Sequence, residues 1–249
     1  MCDFARDDLV SRGARTAVVM SESADWTRPL DKEYLKCLPQ AGPKVLAHIR
    51  FSKSTQDFTP VYNRIEALHP DVVIAGWAHV GVVPTVQWHG QGAPGVLAGV
   101  NAQAGSGRFW KATNGAAQNV ITEDAAAPGE ALTPKTVPFT NAYIKRFGVT
   151  PAYNAYSTYD ALFVLEQAIE RAGSTQPGAL VPALEKTDYR GTLGRVEFYG
   201  RHARYAHGMK YGERYVTGSM IQWQHGKQVA IWPRKAATGS PKLPALEGR

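Results

Sequence analysis

Five short apolar runs, rich in β-branched residues, recur along the first half of the chain at a nearly constant spacing. They begin 24 to 30 residues apart, and segments with helical character lie between them. This spacing is the length of one strand plus a crossover helix, so it predicts a parallel sheet with helices on both faces. Residues 1–124 are therefore expected to form one α/β domain of five strands. The runs are 15–20, 45–51, 71–76, 95–100 and 119–123.

The clearest helix pattern follows the second run. Phe58, Val61, Ile65 and Leu68 recur at spacings of three and four residues, which places them on one face of a helix. Further helices are expected in the gaps between the other runs, at 29–39, 82–90 and 106–115.

The second half of the chain changes character, because helices come first and strands follow. The helices there have apolar stripes but no series of strands to pack on. His225-Gly226 is the two-residue turn of a predicted hairpin, with glycine supplying a positive φ. The predicted helices are 137–147, 156–172 and 177–186, and the predicted strands are 194–199, 215–224 and 227–232.

Charge is unevenly distributed along the chain. The net charge of the 249 residues is +7, yet residues 190–249 hold 11 basic and 3 acidic residues, a net of +8. Within that part, 199–215 interleaves basic and aromatic residues, a pattern that can bind single-stranded nucleic acid. The same pattern suits twisted strands with a solvated face, and no nucleic-acid-binding motif accompanies it. No apolar run reaches the roughly 18 residues of a membrane-spanning helix.

Signatures of catalysis and of metal binding are absent from the sequence. It contains no phosphate-binding loop, no dinucleotide fingerprint, no zinc-protease motif and no nucleophile elbow. Cys2 and Cys37 are too few for a disulfide framework or a zinc site, and Cys37 is expected to be a small core residue. We therefore predict no catalytic residue, no metal and no cofactor, and a protein that is not an enzyme.

Polar and aromatic residues follow three of the predicted strands, in the loops 21–26, 77–81 and 101–103. In an open parallel sheet, ligands bind beyond the carboxyl ends of the strands. Each loop offers a ring, an amide or a hydroxyl, the mixture that a small-molecule pocket needs. Taken one at a time, most of these residues, Trp26 and Trp77 included, are better explained as buried core residues. Together the three loops predict a small-ligand site.

Several stretches, taken in order, resemble one known family over nearly the whole chain. They are Thr16–Met20 with Asp25-Trp26, Phe51–Phe58 with Pro70–Gly76, Tyr156–Ala161 with Ala168–Ser174, and Tyr189–Phe198 with Gln222–Gln224 and Ile231–Pro233. Their order and spacing are similar to those of the type I periplasmic solute-binding proteins. That class serves ABC transporters for branched-chain amino acids and amides, and leucine-binding proteins belong to it.

The resemblance implies a periplasmic-binding-protein-like type I α/β fold, with a doubly wound parallel sheet in one complete lobe and part of a second lobe. Residues 1–124 would be the second lobe, 125–215 the later part of the first, 216–235 a closing hairpin and 236–249 a flexible tail. An N-terminal portion with a signal peptide would precede them and supply the sheet for the helices of 125–215. The implied location is the periplasm.

Carried over residue by residue, the resemblance assigns most ligand contacts to the predicted loops. Trp26 falls on the aromatic residue that covers the ligand, and Ser23 lies on the same loop. Ala78, with His79 beside it, falls where an aromatic contact is usual. Tyr156 falls on the wall of the first lobe.

Asn101 falls where the family has a carboxylate that pairs with the ammonium group of the ligand. A neutral amide cannot balance a desolvated ammonium as a carboxylate does. Asparagine both donates and accepts hydrogen bonds, which suits an amide, a urea-like compound or a polar organic acid.

The resemblance implies the substrate-binding component of an ABC importer, which captures a small polar ligand such as an amino acid or amide by hinge closure. Its partners would be that ligand and the transporter permease, without nucleic acid and without a membrane span. Three alternatives stay open: a ligand-sensing regulator of the same fold, an α/β enzyme using 21–26, and a nucleic-acid binder using 199–215.

Overall fold

The computed structural model describes residues 1–92 and 94–247, which divide into two compact units. Unit 1 comprises Met1–Asp124 and the chain from Ser219 onward, and unit 2 comprises Ala125–Gly218. The first elements of unit 1 are α1 (Cys2–Phe4), a π-helical turn (Ala5–Leu9), a 3₁₀ turn (Val10–Arg12), β1 (Thr16–Glu22), α2 (Thr27–Ala41), β2 (Lys44–Phe51), α3 (Thr59–Glu66), β3 (Val72–Trp77), α4 (Val82–Gly90), β4 (Val96–Asn101), α5 (Phe109–Ala112) and β5 (Ile121–Asp124). The chain returns to unit 1 with β8 (Ser219–Gln224), β9 (Lys227–Trp232) and a 3₁₀ turn (Pro244–Leu246).

The first four strands form one parallel sheet in the order β2-β1-β3-β4. Successive side chains point to opposite faces, so Val19 and Ile74 enter one apolar cluster while Val18 and Val73 enter another. Because both faces are buried, these strands are continuously apolar instead of alternating with polar residues. The predicted parallel α/β sheet is confirmed for these four strands.

Helices cover the two faces of this sheet. Tyr34 and Leu38 of α2 pack into the cluster of one face, and Tyr62 and Ile65 of α3 pack into the cluster of the other. The predicted helical face after the second strand is therefore confirmed, except that Leu68 lies beyond the end of α3 and is exposed.

The fifth predicted strand does not join the parallel sheet. β5 pairs with β8 in antiparallel fashion, and β8 continues into a hairpin with β9, so the order of this second sheet is β5-β8-β9. The prediction of five parallel strands is wrong in its last member, because spacing along the chain predicts that a strand exists and not which strand it pairs with. Both residues of the hairpin turn, His225 and Gly226, have positive φ angles, as the tightest hairpins require.

The end of the chain packs on unit 1 instead of forming the flexible tail expected over 236–249. Leu243 and Leu246 are buried in the same cluster as Ile231. The Gln222 side chain accepts a hydrogen bond from the Lys242 N–H at 2.8 Å and donates one to the Lys242 carbonyl at 2.7 Å. Glycine, proline and lysine are typical of a loose tail, but the two leucines of this stretch are apolar and find a place in the core. Residues 248–249 lie outside the described part.

A disulfide joins Cys2 to Cys37, with 5.9 Å between the two Cα atoms. It connects α1 to α2, whose apolar faces enter the same cluster. The prediction that Cys37 is only a small core residue is therefore wrong. Two cysteines are too few for a framework, but one bridge needs only that the fold bring them together.

Unit 2 is mainly helical. Its strands form a two-stranded antiparallel sheet, so the strand predicted over 194–199 is reduced to two residues within it. The elements are α6 (Thr136–Phe147), α7 (Tyr153–Ala172), α8 (Pro177–Glu185), β6 (Tyr189–Arg190) and β7 (Arg195–Val196).

The long helix α7 buries a different side from the one that its apolar residues predict, which is Tyr159, Leu162, Phe163, Ile169 and Ala172. Tyr156, Val164 and Ala168 are buried, whereas Leu162 is 63% exposed and Leu165 is 40% exposed. The helical spacing identified apolar residues correctly, but the short sheet of unit 2 covers only one side of the helix.

No helix in the described ranges has both the length and the hydropathy that crossing a bilayer requires.

The buried end of the chain makes a first prediction. Leu243→Ala should lower the free energy of unfolding by about 2 to 5 kcal/mol, because it leaves a cavity in the core of unit 1. Urea denaturation followed by circular dichroism measures the change. Leu162→Ala is the matched control and should change stability by less than about 0.5 kcal/mol. Equal effects of the two substitutions would contradict the packing of the chain end.

Candidate ligand-binding site

The carboxyl ends of β1, β3 and β4 lie at one edge of the sheet because the strands are parallel. Glu22 is the last residue of β1 and Asn101 is the last residue of β4, while Ala78 and His79 directly follow β3. This is the edge at which open α/β sheets bind ligands.

Glu22 connects the loop after β1 to the loop after β3. Its side chain is fully buried, and its Oε1 accepts hydrogen bonds from the indole Nε1 of Trp26 at 3.1 Å and from Nδ1 of His79 at 2.6 Å. Its Oε2 accepts the backbone N–H groups of Ala78 at 3.1 Å, His79 at 2.9 Å and Val80 at 3.4 Å. Since a carboxylate can only accept, the proton between Glu22 and His79 is assigned to Nδ1.

These donors keep Glu22 ionised. Burial is the largest single influence on the Glu22 carboxyl and by itself raises the pKa. The hydrogen bonds from the His79 ring, from the Ala78 and His79 N–H groups and from the Trp26 indole together outweigh it, so the pKa lies below the ordinary glutamate value.

Asn101 is buried and its polar groups are engaged within unit 1. Its N–H donates to Thr122 Oγ1 at 3.0 Å, and its Oδ1 accepts the Ala104 N–H at 3.3 Å. Its Nδ2 lies 3.4 Å from Thr85 Oγ1. A Cβ added at Gly81 would lie 2.5 Å from Asn101 Oδ1, so the loop after β3 packs directly against this amide.

Gln103 braces the same loop from the end of β4. Its Nε2 donates to the His79 carbonyl at 3.1 Å, and its Oε1 accepts the Val82 N–H at 3.0 Å. The loop that carries His79 is thus held from two sides, by Glu22 of β1 and by Gln103.

The two tryptophans of the predicted loops differ in burial. Trp77 is fully buried and its indole donates to the Met20 carbonyl at 2.9 Å, so it is a core residue. Trp26 is 36% exposed and the ring of His79 is half-exposed. Ser23 is also exposed, and its N–H donates to the Phe51 carbonyl at 2.7 Å. The structure therefore places Ser23, Trp26, Ala78 and His79 at one edge.

Tyr156 belongs to unit 2. It is fully buried, with its hydroxyl 2.8 Å from Thr140 Oγ1 and its ring centroid 4.9 Å from that of Phe139. Its role as a wall of the ligand site stays a prediction.

A second buried polar cluster lies under the loop after β1. Ser21 is fully buried, and its hydroxyl donates to Asp31 at 2.5 Å. Asp31 is also bound by the guanidinium of Arg50 and by His48 Nε2 at 3.0 Å, and Arg50 continues to Thr27 Oγ1 at 3.0 Å. These bonds tie the start of α2 to the ends of β1 and β2. A buried hydroxyl committed to a paired carboxylate gives no support to the enzyme alternative.

The basic segment 199–215 is partly neutralised within unit 2. Arg201 and His207 both contact Glu185, at 3.0 and 2.7 Å, and Lys210 contacts Glu197 at 2.8 Å. This pairing lowers the net charge that the segment presents and adds nothing in favour of nucleic-acid binding. Over residues 1–92 and 94–247, histidine, cysteine and carboxylate side chains form no group of three or more that could hold a metal ion.

Sequence reasoning missed Glu22 and Gln103. Glu22 carried a usable signal, since it is a carboxylate inside a predicted ligand loop, two residues after the end of an apolar run. Gln103 lies in a predicted loop, but its hydrogen-bond partners Val82 and His79 lie 21 and 24 residues away in sequence, and only the fold brings them together.

Comparison with known proteins decides the family. The family model described as "Periplasmic binding protein" matches residues 5–213. The chain belongs to the periplasmic binding protein family. The Leu/Ile/Val-binding protein homolog 7 of Brucella melitensis is 24% identical in an alignment 248 residues long, which covers 94% of this chain and 59% of that protein.

Solved structures of similar proteins share the fold. The leucine binding protein LivK of Thermotoga maritima superposes with a TM-score of 0.76 at 21% identity, covering 92% of this chain and 62% of that one. A solute-binding protein of an R. palustris ABC transporter, solved in complex with benzoate, has a TM-score of 0.75 at 14% identity, covering 97% and 63%. The predicted fold class is confirmed, and the chain spans about three fifths of the length of these relatives.

The Glu22 contacts make a second prediction. Glu22→Gln places an NH₂ group against bound N–H donors, so it should lower the free energy of unfolding at pH 7 by about 1 to 3 kcal/mol. The indole of Trp26 should also become more accessible, measured as stronger acrylamide quenching of tryptophan fluorescence. Asp25→Asn, on the same loop but with a fully exposed side chain, is the control and should change neither quantity. An unchanged Glu22→Gln protein would contradict the described contacts.

The lowered pKa of Glu22 makes a third prediction, on pH. A carboxyl group whose pKa is lower in the folded state stabilises the fold above its unfolded pKa, and that contribution is lost as the pH falls through the folded pKa. The stability difference between wild type and Glu22→Gln should therefore be largest at neutral pH and shrink below the ordinary glutamate value of 4.5. Urea denaturation at pH 7, 5 and 3.5 measures it, and a difference that grows on acidification would contradict the assignment.

Proposed function

We propose that this chain forms the ligand-binding part of a substrate-binding protein that serves an ABC importer. The observation that carries the proposal is the convergence of Trp26 and His79 on one oxygen of Glu22, at the edge of the sheet where such folds bind ligands. The two half-exposed rings give that edge an apolar face and a hydrogen-bonding group, the combination found in small-molecule sites.

Unit 1 is proposed to be the second lobe of the protein and unit 2 the later part of the first. The chain leaves unit 1 after Asp124, at the end of β5, and returns to it at Ser219, the start of β8. β5 and β8 pair with each other, so the two crossings lie side by side, where a hinge would lie, and this supports the assignment. The mechanism is closure of two lobes around a ligand by hinge motion, with no bond made or broken.

The proposed ligand is a small polar molecule such as an amino acid, an amide or a related compound. The names of the relatives support this range, since they include a Leu/Ile/Val-binding homologue, a leucine-binding protein and a benzoate complex. The proposed partner is the permease of an ABC transporter, and the proposed location is the periplasm.

A fourth prediction tests this function. Isothermal titration calorimetry with a panel of amino acids, amides and organic acids should find at least one ligand. Trp26→Ala should weaken the binding of this ligand about tenfold or more, because an aromatic ring that a ligand covers often contributes a large share of the binding free energy. Leu35→Ala, a similarly exposed apolar residue of α2, is the control and should leave the affinity unchanged. A panel without any binder would contradict the proposed function.

A further inference from the structure

The Glu22 carboxylate has no capacity left for a ligand. A carboxylate offers about four lone-pair positions, and Glu22 already accepts five donors from Trp26, Ala78, His79 and Val80. An ammonium group could bind Glu22 only by displacing hydrogen bonds that hold two loops. The central negative charge of the edge is therefore a structural one.

The other acids at the ends of the parallel strands are also committed or solvated. Asp25 is fully exposed and lies 3.5 Å from Arg28, and Asp31 is bound by Ser21, His48 and Arg50. Asp57, after β2, accepts the Thr59 N–H at 2.9 Å. Asn101, the last residue of β4, is neutral, and both ends of its buried amide have partners within unit 1. Among the described residues at these strand ends, a desolvated carboxylate able to pair with an ammonium is therefore lacking.

The half-exposed groups of the edge suit the opposite charge. Nδ1 of His79 is held by Glu22 while the ring is half-exposed, so Nε2 is the ring nitrogen left for a ligand, and a protonated ring donates to an anion through Nε2–H. Glu22 orients this ring through the bond to Nδ1. The Trp26 indole N–H is likewise held by Glu22, which leaves the face of the ring for an apolar body.

The geometry points to an organic carboxylate with an apolar or aromatic body, and without an ammonium group, as the ligand class of this edge. This inference rests on the proposed function and narrows it. His79 is the residue that receives the carboxylate, Trp26 contacts the body, and Glu22 is a positioning residue for both.

Matched ligand pairs test the inference on the full chain. 4-Methylpentanoate and leucine differ only in the α-amino group, as do 3-phenylpropanoate and phenylalanine. Calorimetry in a buffer of about pH 6 should show that at least one of the two carboxylates binds at least tenfold more tightly than its matched amino acid. Equal or tighter binding of the amino acid would overturn the inference and leave the proposed function standing.

The wider panel separates the remaining outcomes. Binding of an amide or another neutral compound, with neither carboxylate bound, would overturn the ligand class alone. Absence of binding by every compound would overturn the proposed function and the inference with it.

A variant assigns the effect to His79. His79→Gln keeps a donor toward Glu22 but removes the ring with its Nε2, so the affinity for the carboxylate should fall about tenfold and the preference over the amino acid should shrink. His89→Gln, an exposed histidine in the last turn of α4, is the matched control and should bind like the wild type. A preference that survives His79→Gln unchanged would overturn the role given to His79.

Discussion

The candidate site depends on one buried carboxylate. Glu22 ends β1 and receives donors from its own loop and from the loop after β3. A buried charge is costly unless it is fully hydrogen-bonded, so the loops must adopt the arrangement that satisfies it. The orientation of Trp26 and His79 follows from that requirement, with Gln103 bracing the second loop.

The sheet makes this arrangement possible because its strands are parallel and buried on both faces. Parallel pairing of β1 with β3 and of β3 with β4 brings three loops to one edge. Apolar clusters on both faces hold the strands in register, so the ends of the strands are fixed relative to one another. The loops after these strands therefore need only a few hydrogen bonds to adopt a defined conformation.

Much of unit 1 could be predicted from periodicity. The four parallel strands and the face of α3 were predictable because burial on two faces or on one stripe leaves a direct pattern of apolar residues. The partner of β5, the Cys2–Cys37 bridge and the packed end at Leu243 were not. Each depends on a contact between distant parts of the chain, and spacing along the sequence carries no information about such contacts. In unit 2, the apolar residues of α7 were predicted, but the covered side of the helix was not.

The sequence by itself determined the α/β class, the likeness to periplasmic binding proteins and the loops in which a ligand site should lie. These features are predictable because they are local: strand length, crossover length and the position of polar residues after apolar runs depend only on neighbouring positions in the sequence. Only the tertiary structure decided which side chains in those loops are available. It buried Trp77 and Asn101, left Trp26 and His79 half-exposed, and placed Glu22 behind them. The physical reason is that availability depends on which donors and acceptors meet across the sheet edge, and those partners lie as many as 58 residues apart.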